Sequence, residues 1–257
     1  MNPELKNHIS HLSTGVAHRG LHDLARPENS RAAFEHAIEA NIPFEFDVHL
    51  CKDGHVVVCH DSSLLRMTGK EGIIEEMTLE ETQAHHYFDG SSPITLPELL
   101  TLNNGKVPMV IELKTRGGNA KELAEAAVPL INSIPNKDLC YLISFDADAL
   151  REAKRCGVTL PCGFLVGTEA IKHAKKELLY EFDFLDVEVH YSLLPRFRRY
   201  RKDGGMLFCW TVKNRLTHSI GKKRCHVLTW EEVDSAKEPL KVNAFVRDHL
   251  NPFHTDR

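Results

Sequence analysis

The sequence has no CxxC pair, no apolar run long enough to cross a membrane, no excess of positive charge and no low-complexity stretch. Each absence removes a class of function. The seven cysteines are an odd, scattered set, and the closest two, Cys156 and Cys162, have five residues between them. That spacing suits neither a zinc knuckle nor a dithiol redox motif, so the thiols read as reduced ones in a cytoplasmic protein. Residues 1–15, MNPELKNHISHLSTG, lack the apolar stretch of a signal peptide. Taken as the natural start, they also predict a cytoplasmic location, and no segment approaches a membrane span. Lysine and arginine total 32 against 36 acidic residues, giving a net charge of -4 and a pI near 6.5. Nucleic acid is therefore excluded as the main partner, because binding a phosphate backbone needs a basic domain.

What is present suits a soluble α/β protein. Hydrophobic residues make up 42% and charged residues 26% of 257 residues. That length fits one barrel of about 250 residues, although two small domains would also fit. Eight β-rich apolar segments recur with helical stretches between most of them: 14–18, 43–48, 107–113, 138–144, 160–166, 182–189, 205–212 and 225–230. Alternating strands and helices make parallel βαβ units, and eight of them point to a closed (β/α)8 barrel, a single domain over 1–257.

Between the strands, Asn29 and Ser30 are candidate caps for SRAAFEHAIEA, whose Ala33, Phe34, Ala37 and Ile38 share one face. AKELAEAAVPLINSI offers Leu123, Ala127, Leu130 and Ile131 at similar spacing, and DADALREAKRCG stops at Gly157. One segment breaks the rhythm. In LCKDGHVVVCHD, Asp53-Gly54 marks a tight turn into an extra strand. Residues 61–106 then intervene, longer than a βα loop needs, and are expected as an insertion at the barrel mouth.

The chemistry gathers near that mouth. Glu45 and Asp47 alternate with Phe46 and Val48, so both carboxylates leave one face of a strand. Glu112 and Lys114 repeat the arrangement in VPMVIELK. Carboxylates crowded inside a barrel are costly unless a cation neutralises them. Glu45, Asp47 and Glu112 therefore suggest an all-oxygen site for a hard divalent ion, Mg2+ or Ca2+, rather than zinc. The plainer alternative is strand-end residues paired with Arg19 and Lys114. His18 and His60 each end a strand at the same rim, where two imidazoles suit a general base and a general acid. Arg19 and Lys114 suit the non-bridging oxygens of a phosphate.

Six segments then match one family in order and spacing: AHRG (17–20), RPENS (26–30), FEFDVHLCKDGHVVVCHD (44–61), ITLPELL (94–100), VIELK (110–114) and WTVKN (210–214). The set resembles the glycerophosphodiester phosphodiesterases from about residue 16 to 214, most densely over 16–114. The resemblance implies a TIM barrel with a small insertion after the second strand, a divalent cation, and cleavage of glycerophosphodiesters to glycerol phosphate and an alcohol. By position it implies metal ligation by Glu45, Asp47 and Glu112, catalysis by His18 and His60, and phosphate contacts from Arg19 and Lys114. Trp210 would line the pocket against glycerol, or equally be a core aromatic of its strand. The family's attack is thought to come from the substrate's own glycerol hydroxyl, through a cyclic phosphate that water opens. The chain departs from the pattern in four places. Cys51 and Ser30 replace frequent threonines; WTVKN carries an extra residue before its asparagine; and CHVLTWEEV stands where the family usually ends in GIITD-P, keeping only Thr229.

RFRRYRK (196–202) mixes basic and aromatic residues but reads as the solvated face of a helix between the sixth and seventh strands, and KKR (222–224) as a surface loop. Glu188 shares a face with Asp186 and is a candidate contact for a cationic headgroup such as choline, or a strand-end ion pair. Two other functions stay open: a non-catalytic barrel that binds phosphodiesters or metal, and a lysophospholipase D acting on lipid substrates.

Overall fold

A hydrogen-bonded pairing between β1 (Val16–Ala17) and β2 (Phe44–Leu50) closes the sheet on itself. The computed structural model describes residues 9–173 and 176–231. The rest of the domain expected over 1–257 lies outside the described residues. The remaining strands are β3 (Val56–Val58), β4 (Met109–Leu113), β5 (Cys140–Ser144), β6 (Cys162–Val166), β7 (Phe184–Glu188), β8 (Leu207–Val212) and β9 (Val227–Trp230). Their order is β1-β9-β8-β7-β6-β5-β4-β2-β3. All barrel pairings are parallel; only β3 runs antiparallel, on β2, with Val48 opposite Val58. The eight expected strands are thus a closed (β/α)8 barrel. Its last strand forms between β8 and β1 despite its divergent sequence.

The alternation of side chains gives two cores. Facing inward, Val16, Val110, Tyr141, Leu165, Phe184 and Phe208 fill the barrel interior, and Leu12 of the short helical turn Ile9–Leu12 joins them where the strands begin. Outward, Phe44, Phe46 and Val48 meet the helices. There Phe34 lies 5.1 Å from Phe44 and 5.9 Å from Phe46, ring centre to ring centre. A strand repeats every two residues, so the same pattern that turns these phenylalanines out turns Glu45 and Asp47 in.

The helices carry the expected stops. Ser30 caps Arg31–Glu39, accepting from Ala33 N–H, while Asn29 takes a left-handed φ of 55° and points elsewhere. Ala120–Asn132 buries Leu123, Ala127 and Ile131 but leaves Leu130 only partly covered. Ala147–Arg155 ends at a left-handed Gly157. In Pro195–Lys202, Phe197 and Tyr200 face inward, Arg198, Arg199 and Lys202 are exposed, and Arg196 and Arg201 are half-buried. KKR is not a loop. It forms the last turn of Arg215–Arg224, where cations favour the carbonyl end of a helix.

After the β2–β3 hairpin, whose turn places Gly54 at φ 85°, the chain leaves the barrel rhythm. Helices Leu65–Thr68 and Leu79–Gln83 flank the short turn Ile74–Glu76. Cys51, Val57, Cys59, Leu64 and Ile74 form a small core of their own beneath them. The helix Leu96–Asn103 then packs Leu96 and Leu99 back on the barrel. All seven cysteines are free. No described helix is long and apolar enough to cross a membrane.

Candidate active site

Glu45 and Asp47 point into the barrel from β2, and Glu112 points in from β4 as the register partner of Asp47. Their exposures are 3%, 1% and 6%. One oxygen from each lies within 4.8 Å of the others. Two cations answer them. Lys114 Nζ sits 3.0 Å from Asp47 Oδ1 and 2.7 Å from Glu112 Oε1; Arg19 Nε lies 3.7 Å from Asp47 Oδ2. Backbone N–H of Arg19 donates to Glu45 Oε2 at 2.9 Å, and Asn29 Nδ2 donates to Asp47 Oδ2 at 2.8 Å.

The electrostatics divide the three acids. Burial pushes Asp47 up, but Lys114, His60, Arg19 and the Asn29 amide together hold it well below the carboxylate range. Burial raises Glu45 far above that range, and the charges of Asp47 and Glu112 add to it. Glu112 is raised as well, by burial and by Asp47, with Lys114 opposing. Two protein cations therefore leave the cluster short of positive charge. An all-carboxylate donor set in that condition fits a hard divalent ion.

His18 follows β1 and His60 follows β3. His18 Nδ1 lies 3.2 Å from Glu231 Oε2, and His60 Nδ1 lies 2.6 Å from Asp61 Oδ1. Burial lowers the pKa of both rings, outweighing those carboxylates. With Arg19, Glu45, Glu112, Lys114 and Trp210 they line one cavity of about 750 Å³. Asp47 lies buried beside it in contact with Lys114. The structure thus brings all eight expected residues to one end of the barrel. Trp210 stands at the cavity wall, half-buried, edge-on to Phe145 at 5.5 Å between ring centres. Glu188 also lines the cavity, but its carboxylate already accepts from His190 backbone N–H at 2.9 Å and meets Nδ1 at 2.8 Å.

Several neighbours were not singled out in the sequence. Glu28 accepts from Arg19 at 2.7 Å and from Arg66 at 2.7 and 3.1 Å, and Arg66 Nε also reaches Asp61 at 2.6 Å. A chain of charges thus runs from Arg19 to the partner of His60. His49 is buried between Glu75 (Nδ1, 2.6 Å) and the carbonyl of His60 (Nε2, 3.1 Å), tying the insertion to the barrel. Asp186 is buried among these residues, and burial with the charge of Glu112 raises its carboxyl well above the usual range. Glu28 and Asn29 sit inside the RPENS segment, the one signal that marked the place.

A family model described as the glycerophosphoryl diester phosphodiesterase family matches residues 18–252. A glycerophosphodiester phosphodiesterase of Caldanaerobacter subterraneus subsp. tengcongensis is 30% identical over 210 residues, covering 78% of this chain and 86% of that one. A putative glycerophosphodiester phosphodiesterase of Bacillus subtilis is 29% identical over 216 residues, covering 79% and 87%. Among solved structures, a glycerophosphodiester phosphodiesterase from Thermotoga maritima superposes with a TM-score of 0.69 at 27% identity, over 84% of this chain and 92% of that one. The fold also matches an Oleispira antarctica phosphodiesterase in complex with the product sn-glycerol-3-phosphate, with a TM-score of 0.79 at 24% identity, over 94% and 99%.

Proposed function

This chain belongs to the glycerophosphoryl diester phosphodiesterase family, and from that premise we propose that it hydrolyses glycerophosphodiesters to glycerol 3-phosphate and an alcohol in the cavity described above. The observation that carries the reading is the meeting of Glu45, Asp47 and Glu112, within 4.8 Å of one another, at a cavity also lined by two imidazoles and two cations. Those three carboxylates would hold Mg2+ or Ca2+, which when bound supplies polarisation of a phosphoryl oxygen and a lowered pKa for an attacking hydroxyl.

The chain's own groups supply the rest. Arg19 and Lys114 hold the non-bridging oxygens of the diester, Arg19 through a guanidinium already braced by Glu28. Trp210 closes the wall against the glycerol. The substrate's own glycerol hydroxyl attacks phosphorus, and the bond to the alcohol oxygen breaks. One imidazole takes the hydroxyl proton as the other gives a proton to the departing alkoxide. The pair then exchange roles as water opens the cyclic phosphate. Holding nucleophile and phosphorus in one molecule removes part of the barrier, up to about 7–11 kcal/mol in well-oriented cases. Of the stretch 61–106, the part before the helix Leu96–Asn103 serves as an insertion at the barrel mouth, framing the cavity through Arg66. Seven free cysteines support a reducing, cytoplasmic setting.

The test incubates purified protein with glycerophosphocholine and Mg2+ or Ca2+, with and without EDTA, and assays glycerol phosphate. Turnover that persists in EDTA removes the cation from the reading. No turnover in a folded, metal-loaded sample favours a non-catalytic binding barrel. His18→Ala and His60→Ala should each cost on the order of 10²–10⁴ in rate. A second reading rests on an adjoining cavity of about 700 Å³, walled by Phe145, Phe164, Ala170 and Leu178 beside Lys114. Its apolar wall suits the chain of a lysophospholipid, and faster release of choline from lysophosphatidylcholine than from glycerophosphocholine would select it.

A further inference from the structure

We infer that Glu231, braced by Lys213, is the positioning residue that fixes the tautomer of His18. The inference rests on the proposed place of His18 in the catalytic pair. Glu231 follows β9, and its backbone N–H donates to Val212 O at 3.1 Å, so the residue is pinned to β8. Strand alternation sets the direction of its side chain. Trp230 turns out into the core between barrel and helices, whereas Thr229 and Glu231 on either side of it line the cavity. There Glu231 Oε2 lies 3.2 Å from His18 Nδ1 and 2.9 Å from Lys213 Nζ.

Both partners stand where the sequence departs from the family pattern. Lys213 is the extra residue of WTVKN, and Glu231 comes directly after the Trp230 of CHVLTWEEV. Two separate departures, at the ends of neighbouring strands, meet in one ion pair.

The chemistry follows from the donor inventory. An ionised carboxylate only accepts hydrogen bonds, so His18 must carry its proton on Nδ1 when the ring is neutral. Nε2 is then left with a free lone pair, the form that takes a proton from a hydroxyl. Once Nε2 is protonated, the positive ring lies against the charge of Glu231, which favours that state. Lys213 helps to keep Glu231 ionised. The hydrogen bond to His18 chiefly, and that to Lys213 after it, hold the carboxyl down at about 2 against its burial. Asp61 stands in the same relation to His60 at 2.6 Å, so both rings are tied by Nδ1. Glu231 acts through His18 and touches no reacting atom.

The test uses the whole protein and two independent readouts. Kinetics with glycerophosphocholine and Mg2+ should show kcat at least tenfold lower in Glu231→Gln, with KM within twofold and the thermal midpoint unchanged within a few degrees. Glu231→Asp, which restores the charge, should recover part of the rate. Nitrogen NMR of ¹⁵N-histidine-labelled parent, with His18 assigned by its loss in His18→Ala, should show the proton on Nδ1 at a pH where the ring is neutral. An active parent whose kcat survives Glu231→Gln overturns the inference, as does a parent spectrum with the proton on Nε2. A joint loss of kcat, KM and thermal stability does the same, since it marks a merely structural residue. If the parent itself fails to turn over the diester, the proposed function falls, and the nitrogen spectrum still decides the placement of the proton.

Discussion

Asn29 donates a hydrogen bond from its carboxamide to Asp47 Oδ2 at 2.8 Å, and both side chains are fully buried. The same carboxamide accepts from Asp47 backbone N–H at 3.4 Å, so one side chain grips the acid at both ends. It fixes the carboxylate about which the other two acids and both cations are arranged.

Removing that grip should weaken the cation site more than the fold. Asn29 sits at φ 55°, a conformation glycine adopts freely, so Asn29→Gly deletes the carboxamide without adding backbone strain. Partners behind metal ligands are typically worth about 10- to 100-fold in affinity. Titration calorimetry with Mg2+ or Ca2+ should show a loss in that range, and unfolding by urea a stability loss of about 1–3 kcal/mol from the buried oxygen left short of a donor. Unchanged affinity would mean that Asp47 is held well enough by Lys114 and Arg19 alone.

A second prediction concerns the insertion. Arg66 bridges Glu28, the brace of Arg19, and Asp61, the partner of His60, but its side chain is 46% exposed. Exposed pairs contribute little to stability, roughly 0–1 kcal/mol, so Arg66→Met should leave the unfolding midpoint nearly where it was. Its effect should appear in the rate, because the partners of Arg19 and His60, the two groups proposed to act on the phosphate, lose a common anchor. A fall of about tenfold in kcat/KM, equal to about 1.4 kcal/mol of transition-state stabilisation, is expected. A variant with parental kinetics would show that Asp61 and Glu28 hold their partners unaided.

The contrast between these residues and the acids shows what a single sequence reveals. Glu45, Asp47 and Glu112 were legible because a strand's period of two fixes which face a side chain takes, whatever the rest of the chain does. The eight strands were legible for the same reason, and so was the hairpin, since Asp53-Gly54 is a local turn signal. Asn29 and Ser30 are both candidate caps by residue type, and Ser30 takes that role. Only the left-handed backbone at 29 turns its side chain toward β2, and nothing local marks it. Arg66, Lys213 and Glu231 find partners 38, 18 and 213 residues away. Such pairings depend on barrel closure, which local pattern does not encode. The last turn of the helix Arg215–Arg224 was not legible because three adjacent charges carry no apolar periodicity to mark a helix.

Packing inside the barrel supplies a third prediction. A Cβ added at Gly163 on β6 would stand 2.1 Å from the ring of Phe184 on the neighbouring strand. That ring is fully buried and is stacked on Phe208 at 4.3 Å between centres, so it has little room to retreat. Overpacking of this kind typically costs about 1–3 kcal/mol. Gly163→Ala should lower the unfolding free energy by that amount, seen as a lower urea midpoint with an unchanged slope, while Gly157→Ala, with no atom within 4 Å of the added Cβ, should show only the strain of its left-handed backbone. Equal losses at both sites would mean that the Phe184 ring yields.

The carboxylate cluster also fixes how stability should respond to pH and to metal together. Glu45 and Glu112 are raised above their ordinary value of 4.5, by burial first and then by the neighbouring negative charge. A raised acid binds its proton more tightly folded than unfolded. Its contribution is complete below 4.5 and is lost as pH climbs through the raised value. Glu231 and Asp47 are lowered, so what they contribute is in place above the ordinary carboxylate range and disappears only on acidification. His18 and His60 are lowered from 6.5, so their contribution grows as pH rises toward that value and is complete above it, opposing Glu45 and Glu112. A melting curve of the metal-free protein alone therefore mixes opposite slopes. The difference in unfolding free energy with and without Mg2+ or Ca2+ isolates the cluster, because a cation binds only the deprotonated acids. That difference should be small near pH 5 and increase steadily to pH 8, approaching about 2.7 kcal/mol of added stability at a cation concentration 100 times its Kd. A difference that stays flat, or that shrinks over this range, would mean that the three carboxylates do not hold the ion.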